Sequence, residues 1–530
     1  MTENHVYFYD TTLRDGAQTQ GVDFTAADKV AIAAELDRLG IDYIEGGWPG
    51  ANPTDDAFFA NPPKLSRARL TAFGMTRRPG RSAANDPGLQ ALVATPAQAV
   101  CLVGKTWDFH VDVALGIERA ENIDMIADSV AMVSGRVAEV LFDAEHFFDG
   151  YKANRAYALD CIKAAHEAGA RWIVLCDTNG GTLPHEVEGI VGEVVKMIPG
   201  SHIGIHCHND TDNAAANSLA AIRTGARQIQ GSLNGLGERC GNANLVSLIP
   251  TVVLKMGFET SITAEDLRRL THLSRLVDER LNRAPARNAP YVGESAFAHK
   301  GGLHVSAVEK DPRSYEHLDP ALVGNRRHVV VSDQAGRASI LARFREIGLE
   351  VDADDPKLGE LVELVKAREH DGYAYDGAEA SFELLARRAL DGVPEYFKLI
   401  SFRVIDERRW NAKGALVTLS EATIKIEVAG GKVTTVAEGN GPVNALDNAL
   451  RKALAPAFPQ LADVRLVDYK VRILTPDEGT KAMTRVMIES VDGRGARWST
   501  VGVSTNVINA SYNALHDSIT YKLFRAGAKA

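Results

Sequence analysis

A chain of 530 residues with 45 % apolar and 24 % charged side chains has ordinary globular composition and the length of roughly three domains. A net charge of −10 leaves no basic footprint for a nucleic-acid partner, and no apolar run reaches the roughly 18 residues that a membrane span needs. Five scattered cysteines without CxxC spacing, and a start (MTENHVYFYD) with neither a basic nor an apolar leader region, suit a reduced cytoplasmic protein without a signal peptide.

The first half alternates two periodicities. VYFYD reads as a strand. FTAADKVAIAAELDRLG reads as a helix, with Thr25 as its cap and Gly40 as its stop. IDYIEGG, LTAFG, AVCLVG, VLFDAE, RWIVLCDTNGG, HIGIHCHND and ARQIQGSLNGLGER follow as strand candidates, most of them separated by helix-like stretches such as NRAYALDCIKAAHEAG and AAANSLAAIRTG. Eight strands alternating with helices predict an α/β fold, a closed (β/α)8 TIM barrel over residues 1–265. An open doubly wound sheet is the structural alternative, and the lack of GxGxxG after any strand argues against it.

Residues 266–395 change character. ITAEDLRRLTHLSRLVDERLN, GRASILARFREIG and GAEASFELLARRAL read as helices among loops, a linker or set of small helical subdomains. From 396 to 530, YFKLISFRVIDE, ALVTLSEATIKIEVAG and VRLVDYKVRILTP alternate like antiparallel strands. PVNALDNALRKAL and NVINASYNALHDSITYKLF read as helices. This predicts a separate α+β domain whose two halves share an outline of strands and then a helix.

The chemistry-bearing residues sit at the predicted strand ends, where barrel active sites lie. In HIGIHCHND, His206 and His208 share a strand face, and Gly204 leaves room beside them. Two imidazoles at that spacing suit a divalent metal, and Asp15, just past the first strand, is the natural third ligand. Asn242, in GLGERCGNANL, can add an amide oxygen. Such a set binds Mg²⁺, Mn²⁺, Zn²⁺ or iron and does not name its ion. Arg14 stands beside Asp15 in DTTLRDGAQTQ; a metal and a guanidinium together can hold a 2-oxo acid and stabilise charge growing on its ketone oxygen. Glu145 can serve as a base or orient one, and Thr178 can hydrogen-bond a carboxylate. The alternatives are a solvated loop for Glu145 and a helix cap for Thr178. FAHKGGLHVSA holds two histidines, His299 and His304, either of which could move a proton, and spacing does not choose between them.

DTTLRDG, EGGWPGANPTD, FDAEHFFDGY, CDTNGG, HCHND, GLGERCGNANL and FAHKGGLHVSA together resemble the acetyl-CoA-dependent synthases of the 2-isopropylmalate synthase and homocitrate synthase family. EGGWPGANPTD and FDAEHFFDGY are most similar to the forms found in its citramalate-forming members. AEGNGPVNALDNAL and WSTVGVSTNVINASYNALHDSITYKL resemble the family's C-terminal regulatory domain.

The resemblance implies metal ligands at Asp15, His206, His208 and Asn242, and 2-oxo acid activation by Arg14. It implies active-site roles for Glu145 and Thr178. His304 becomes the acid–base histidine, which in the family reaches a partner subunit's barrel, and Tyr315 in SYEH a linker tyrosine. It further implies acetyl-CoA and pyruvate as substrates, a Claisen-type condensation, isoleucine as effector and a homodimer. Ala17 stands where many relatives carry Glu. Three rivals remain at this point: the same reaction on 2-oxoisovalerate, a carbon–carbon lyase on the same barrel, and a catalytically dead amino-acid sensor. The lyases carry a GCP-type cysteine loop that GLGERCGNANL lacks.

Overall fold

The computed structural model describes residues 4–299, 302–329, 337–346, 348, 355–390, 392–410 and 412–529. Among them, eight parallel strands close into a barrel in sequence order: β1 (Tyr7–Asp10), β2 (Tyr43–Gly47), β3 (Arg69–Met75), β4 (Ala99–Lys105), β5 (Glu139–Glu145), β6 (Trp172–Asp177), β7 (Ile203–Cys207) and β8 (Gln228–Gly231). β1 and β8 complete the circle with Tyr7 opposite Gln228 and Asp10 opposite Gly231. Every predicted barrel strand is found.

Both faces of the sheet are covered, so both faces of each strand are largely apolar. Phe8, Ile44, Leu102, Phe142, Leu175 and Ile205 point outward to the helices, while Tyr9, Tyr43, Phe73, Cys101, Trp172 and Val174 fill the interior. The interior changes polarity along its axis. Near the strand starts Trp172 Nε1 donates to the Tyr43 hydroxyl at 3.0 Å, which donates to Glu139 at 2.6 Å. Toward the strand ends the inward side chains are Glu45, Asp143, His206 and Gln230, all buried.

The first crossover helix, Ala26–Leu39, shows how local signals set the elements. Thr25 Oγ1 accepts from Asp28 N, and the Asp28 carboxylate accepts in return from Thr25 N, each at 3.1 Å. Ile32, Ala33, Leu36 and Leu39 face the barrel, and Gly40 ends the helix at φ 97°.

The chain divides into two compact units, Met1–Phe297 with Leu318–Arg327, and Ala298–His317 with His328–Ala530. The segment Leu318–Arg327 returns to the barrel unit, where Thr271 Oγ1 donates to Val323 O at 2.7 Å and Asn325 donates to the Tyr291 and Gly293 carbonyls. In the second unit the described helices Gly302–Lys310, Arg337–Glu346, Pro356–His370 and Glu379–Leu390 precede two three-stranded antiparallel sheets. Strands Phe397–Trp410, Leu416–Val428 and Gly431–Gly439 lead into the helix Pro442–Leu454. Strands Arg465–Ile473, Thr484–Val491 and Arg497–Ser504 lead into the helix Val507–Arg525. The two halves repeat one βββα order; the sequence predicts their outline of strands and then a helix but marks only three of the six strands. Among the described residues no helix is long and apolar enough to cross a membrane.

Candidate active site

DTTLRDG forms a tight turn that binds the end of β1 to the end of β8. Thr11 N donates to Gly231 O at 2.8 Å, and Thr12 Oγ1, which donates to the Asp10 carboxylate, accepts from Leu233 N. Gly16 N then closes back on Thr11 O at 3.0 Å. These bonds leave the Arg14 and Asp15 side chains on the wall of a cavity of about 250 Å³ at the C-terminal ends of the strands. Opposite charges crowd the tip of the first strand because that tip lines the barrel mouth.

Asp15, His206 and His208 meet there. One donor atom from each lies within 4.8 Å of the others. His206 Nε2 and His208 Nε2 stand 3.4 and 3.9 Å from Asp15 Oδ2. β7 ends at Cys207, so His208 lies just past the strand, held opposite Asn242 by an isolated bridge. Burial works against the Asp15 charge, but Arg14 and the two histidines hold its carboxyl well below the usual range. Burial and the neighbouring His206 push His208 down to about 4, which keeps its imidazole neutral at pH 7. Among the described residues Asp15 Oδ1, His208 Nδ1 and both amide atoms of Asn242 are buried without a hydrogen-bond partner. Buried polar atoms are rarely left so. A carboxylate and two imidazoles with orphaned atoms suit a divalent cation, and the residues present fit one.

Arg14 is fixed from three sides. Its Nε donates to Glu45 Oε1 at 2.5 Å, its Nη1 lies 3.5 Å from Asp15, and its guanidinium covers the Phe73 ring at 3.8 Å. Glu45 also accepts from the Tyr9 hydroxyl at 2.5 Å. Glu145 forms an ion pair with Lys105 at the cavity wall. Thr178 Oγ1 accepts from His146 N at 2.9 Å and faces the same cavity, so it serves a loop rather than capping a helix. Trp48, Phe73, Met75 and Val103 supply the apolar wall.

The loop after β2 sets Trp48. EGGWPGANPTD wraps around the carboxylate of Asp55, which accepts from Trp48 N at 2.7 Å and from Asn52 Nδ2 at 3.0 Å and pairs with the buried Lys29 ammonium. Gly47 holds φ 147°, and a Cβ there would fall 2.4 Å from Asp55 Cγ.

Four functional neighbours escape the sequence reading: Glu45, Lys105, Asp143 and Gln230. Gln230 Oε1 lies 3.0 Å from His206 Nδ1, and Gln230 Nε2 donates to Asp143 Oδ1 at 3.0 Å. The signal available was alternation along the strands: Glu45 and Asp143 are polar residues on the inward face near a strand end, as His206 is. His304 and Tyr315 belong to the second unit, where both are exposed and their rings stack at 4.2 Å. His299, the other candidate of that segment, is bound at 3.1 Å to the buried Glu316.

Comparison with known proteins identifies the family. The HMGL-like family matches residues 5–277, the homocitrate synthase post-HMGL domain-like family residues 291–372, and the LeuA allosteric (dimerisation) domain residues 376–523. An (R)-citramalate synthase of Aquifex aeolicus is 50 % identical over 522 residues, 98 % of either chain. One of Geobacter sulfurreducens is 52 % identical over 523 residues, again 98 % of either chain. A 2-isopropylmalate synthase of Methanocaldococcus jannaschii is 30 % identical over 519 residues, 97 % of this chain and 94 % of that one. The chain belongs to the HMGL-like family and, within it, to the branch of the (R)-citramalate synthases.

Proposed function

We propose that this chain is an (R)-citramalate synthase, an acyltransferase that joins the methyl carbon of acetyl-CoA to the ketone carbon of pyruvate and releases CoA by hydrolysis. The observation that carries the reading is its identity of about half, along nearly the whole chain, with two citramalate synthases, against 30 % with a 2-isopropylmalate synthase. The cluster of Asp15, His206 and His208 beside Arg14 supports it.

In this reading Asp15, His206 and His208 hold a divalent ion, Mg²⁺ or Mn²⁺ with Zn²⁺ as a further choice, and Asn242 adds an amide oxygen. The ion supplies Lewis-acid polarisation of the 2-oxo acid. Arg14, already oriented by Glu45 and Phe73, presents a fixed positive charge where negative charge grows on the ketone oxygen during attack. Thr178 accepts from His146, which leaves its hydroxyl hydrogen to donate to the substrate carboxylate. Glu145, tied to Lys105, takes or orients the proton leaving the acetyl methyl group. His304, with Tyr315 stacked on it, serves acid–base transfer.

Residues 1–265 then carry the chemistry, 266–395 link, and 396–530 bind isoleucine as feedback inhibitor and pair two copies. Exposed apolar side chains there, Ile405, Trp410 and Leu416, support pairing. The test is thiol release from acetyl-CoA by the purified protein with Mg²⁺ or Mn²⁺, run separately on pyruvate, 2-oxobutanoate, 2-oxoisovalerate and 2-oxoglutarate, with and without isoleucine or leucine. Turnover mainly on pyruvate, inhibited by isoleucine, is expected. Preference for 2-oxoisovalerate with inhibition by leucine would move the enzyme to 2-isopropylmalate synthesis.

A further inference from the structure

The structure assigns a positioning role to Asp143 and Gln230: together they hold a ring hydrogen of His206 on Nδ1, so that Nε2, which faces Asp15, is the nitrogen a metal ion would take. The inference rests on the metal reading above and adds how one ligand is prepared for it. Gln230 has a donor end and an acceptor end, and Asp143 decides which goes where. Burial raises the Asp143 carboxyl, but its oxygens face two donors and accept from both: Gln230 Nε2–H at 3.0 Å and the Cys101 thiol. The Oε1 end is thereby left 3.0 Å from His206 Nδ1, where it too can only accept. Nδ1 must carry a ring proton. Nε2, the nitrogen 3.4 Å from Asp15 Oδ2, is then the one left to give up its hydrogen to a metal ion. Asp143, Gln230 and His206 are 4 %, 0 % and 5 % exposed, so water does not compete for these bonds. His208 lacks such a device, since among the described residues its Nδ1 has no partner. The two histidines are unequal ligands, one preset and one not.

The experiment titrates chelator-stripped full-length protein with Mn²⁺, reading free Mn²⁺ by electron paramagnetic resonance, with a thermal melt on each variant. Wild type is expected to bind and His208→Ala to lose binding. Asp143→Asn keeps the shape; its one carbonyl oxygen stays with the Cys101 thiol, which needs an acceptor, and its amide hydrogens face Gln230. That turns the Gln230 amide around and moves the His206 proton onto Nε2, so Mn²⁺ binding falls about 10–100-fold, the scale of such outer interactions. Gln230→Leu falls likewise. The double variant Asp143→Asn with Gln230→Glu recovers binding, because the introduced carboxylate accepts from both neighbours. A merely structural role would not be rescued by exchanging the two functional groups. Wild-type affinity in Asp143→Asn, or no recovery in the double variant, overturns the inference and leaves the metal site standing. If Asp143→Asn does not fold, Gln230→Leu and the double variant decide in the same way. Undiminished binding in His208→Ala overturns the metal reading and this inference together.

Discussion

Arg14 keeps its charge in a place that water barely reaches. Burial opposes the charge, but Glu45 and Asp15 more than offset it and raise its pKa above the ordinary arginine value. A lysine has no rigid fork to satisfy Glu45 while covering Phe73. Arg14→Lys is expected to lower kcat by about 10²–10³-fold, the size of losing one oriented donor at a developing oxyanion, with little change in the melting temperature. Stopped thiol release at saturating pyruvate checks this. Asp37 gives a pH expectation. Burial alone would raise its carboxyl, yet the backbone N–H groups of Ser66, Arg67 and Ala68 and the Ser66 hydroxyl hold it below its unfolded value. Its stabilisation is therefore present above the unfolded carboxylate range and lost as pH falls through about 4 and below. Asp37→Asn is expected to destabilise by about 1–3 kcal/mol at pH 7, since an amide cannot accept from all these donors, and by much less at pH 3. Melts at both pH values separate the cases. At this scale the sequence reveals Asp15, His206 and His208 because reactive residue types crowd into short motifs. Glu45, Asp143 and Gln230 stay hidden, because a lone acid or amide on a strand is informative only once its face of the barrel is known.

The loop after β2 works as an element through one buried ion pair. Asp55 binds the Trp48 backbone, Asn52 and Lys29 together, and Lys29 also reaches the Gly46 carbonyl at 3.0 Å. Lys29→Met removes one charge and leaves the other buried. The expected cost is about 3–5 kcal/mol, read as a lower melting transition, with a raised KM for acceptor or acetyl-CoA as Trp48 loses its hold. An unchanged melt would show that Asp55 is satisfied without Lys29. Elements were largely legible in the barrel, where each strand is a short apolar run between helical periods. The second unit was less so. Gly431–Gly439 (GKVTTVAEG) lies at the edge of its sheet and needs only one partly covered face, so its apolar content is too low to mark a strand. The outline of strands and then a helix is legible because the segments of the helices Pro442–Leu454 and Val507–Arg525 are long and free of internal breakers, but the strands Gly431–Gly439, Thr484–Val491 and Arg497–Ser504 are not marked in the sequence.

The whole molecule consists of two compact units with separate cores, which should melt as two transitions. A ligand in one unit then shifts one transition. At a thousandfold excess over Kd a bound ion stabilises by about 4 kcal/mol, so EDTA is expected to lower the barrel transition by several degrees and leave the other in place. Isoleucine is expected to raise the second transition alone. Calorimetry of the full chain checks both, and a chelator effect on the second transition would contradict a metal held by Asp15, His206 and His208.

The boundary between the units is crossed three times, after Phe297, after His317 and after Arg327. This matters for how such genes can recombine. A break at 297 strips the barrel of the stretch that holds Thr271, Tyr291 and Gly293. A break at 317 does the same and also hands His304 and Tyr315 to the upstream fragment. The first crossover that leaves the barrel whole lies beyond Arg327, and it always carries His304 along. That histidine is inherited with the barrel but seated in the other unit, where Arg345 meets Glu309 of its helix at 3.1 Å. A chimaera of two such enzymes must therefore match foreign surfaces around the helix Gly302–Lys310, and ancestral exchange of regulatory ends would have left its compensating substitutions there.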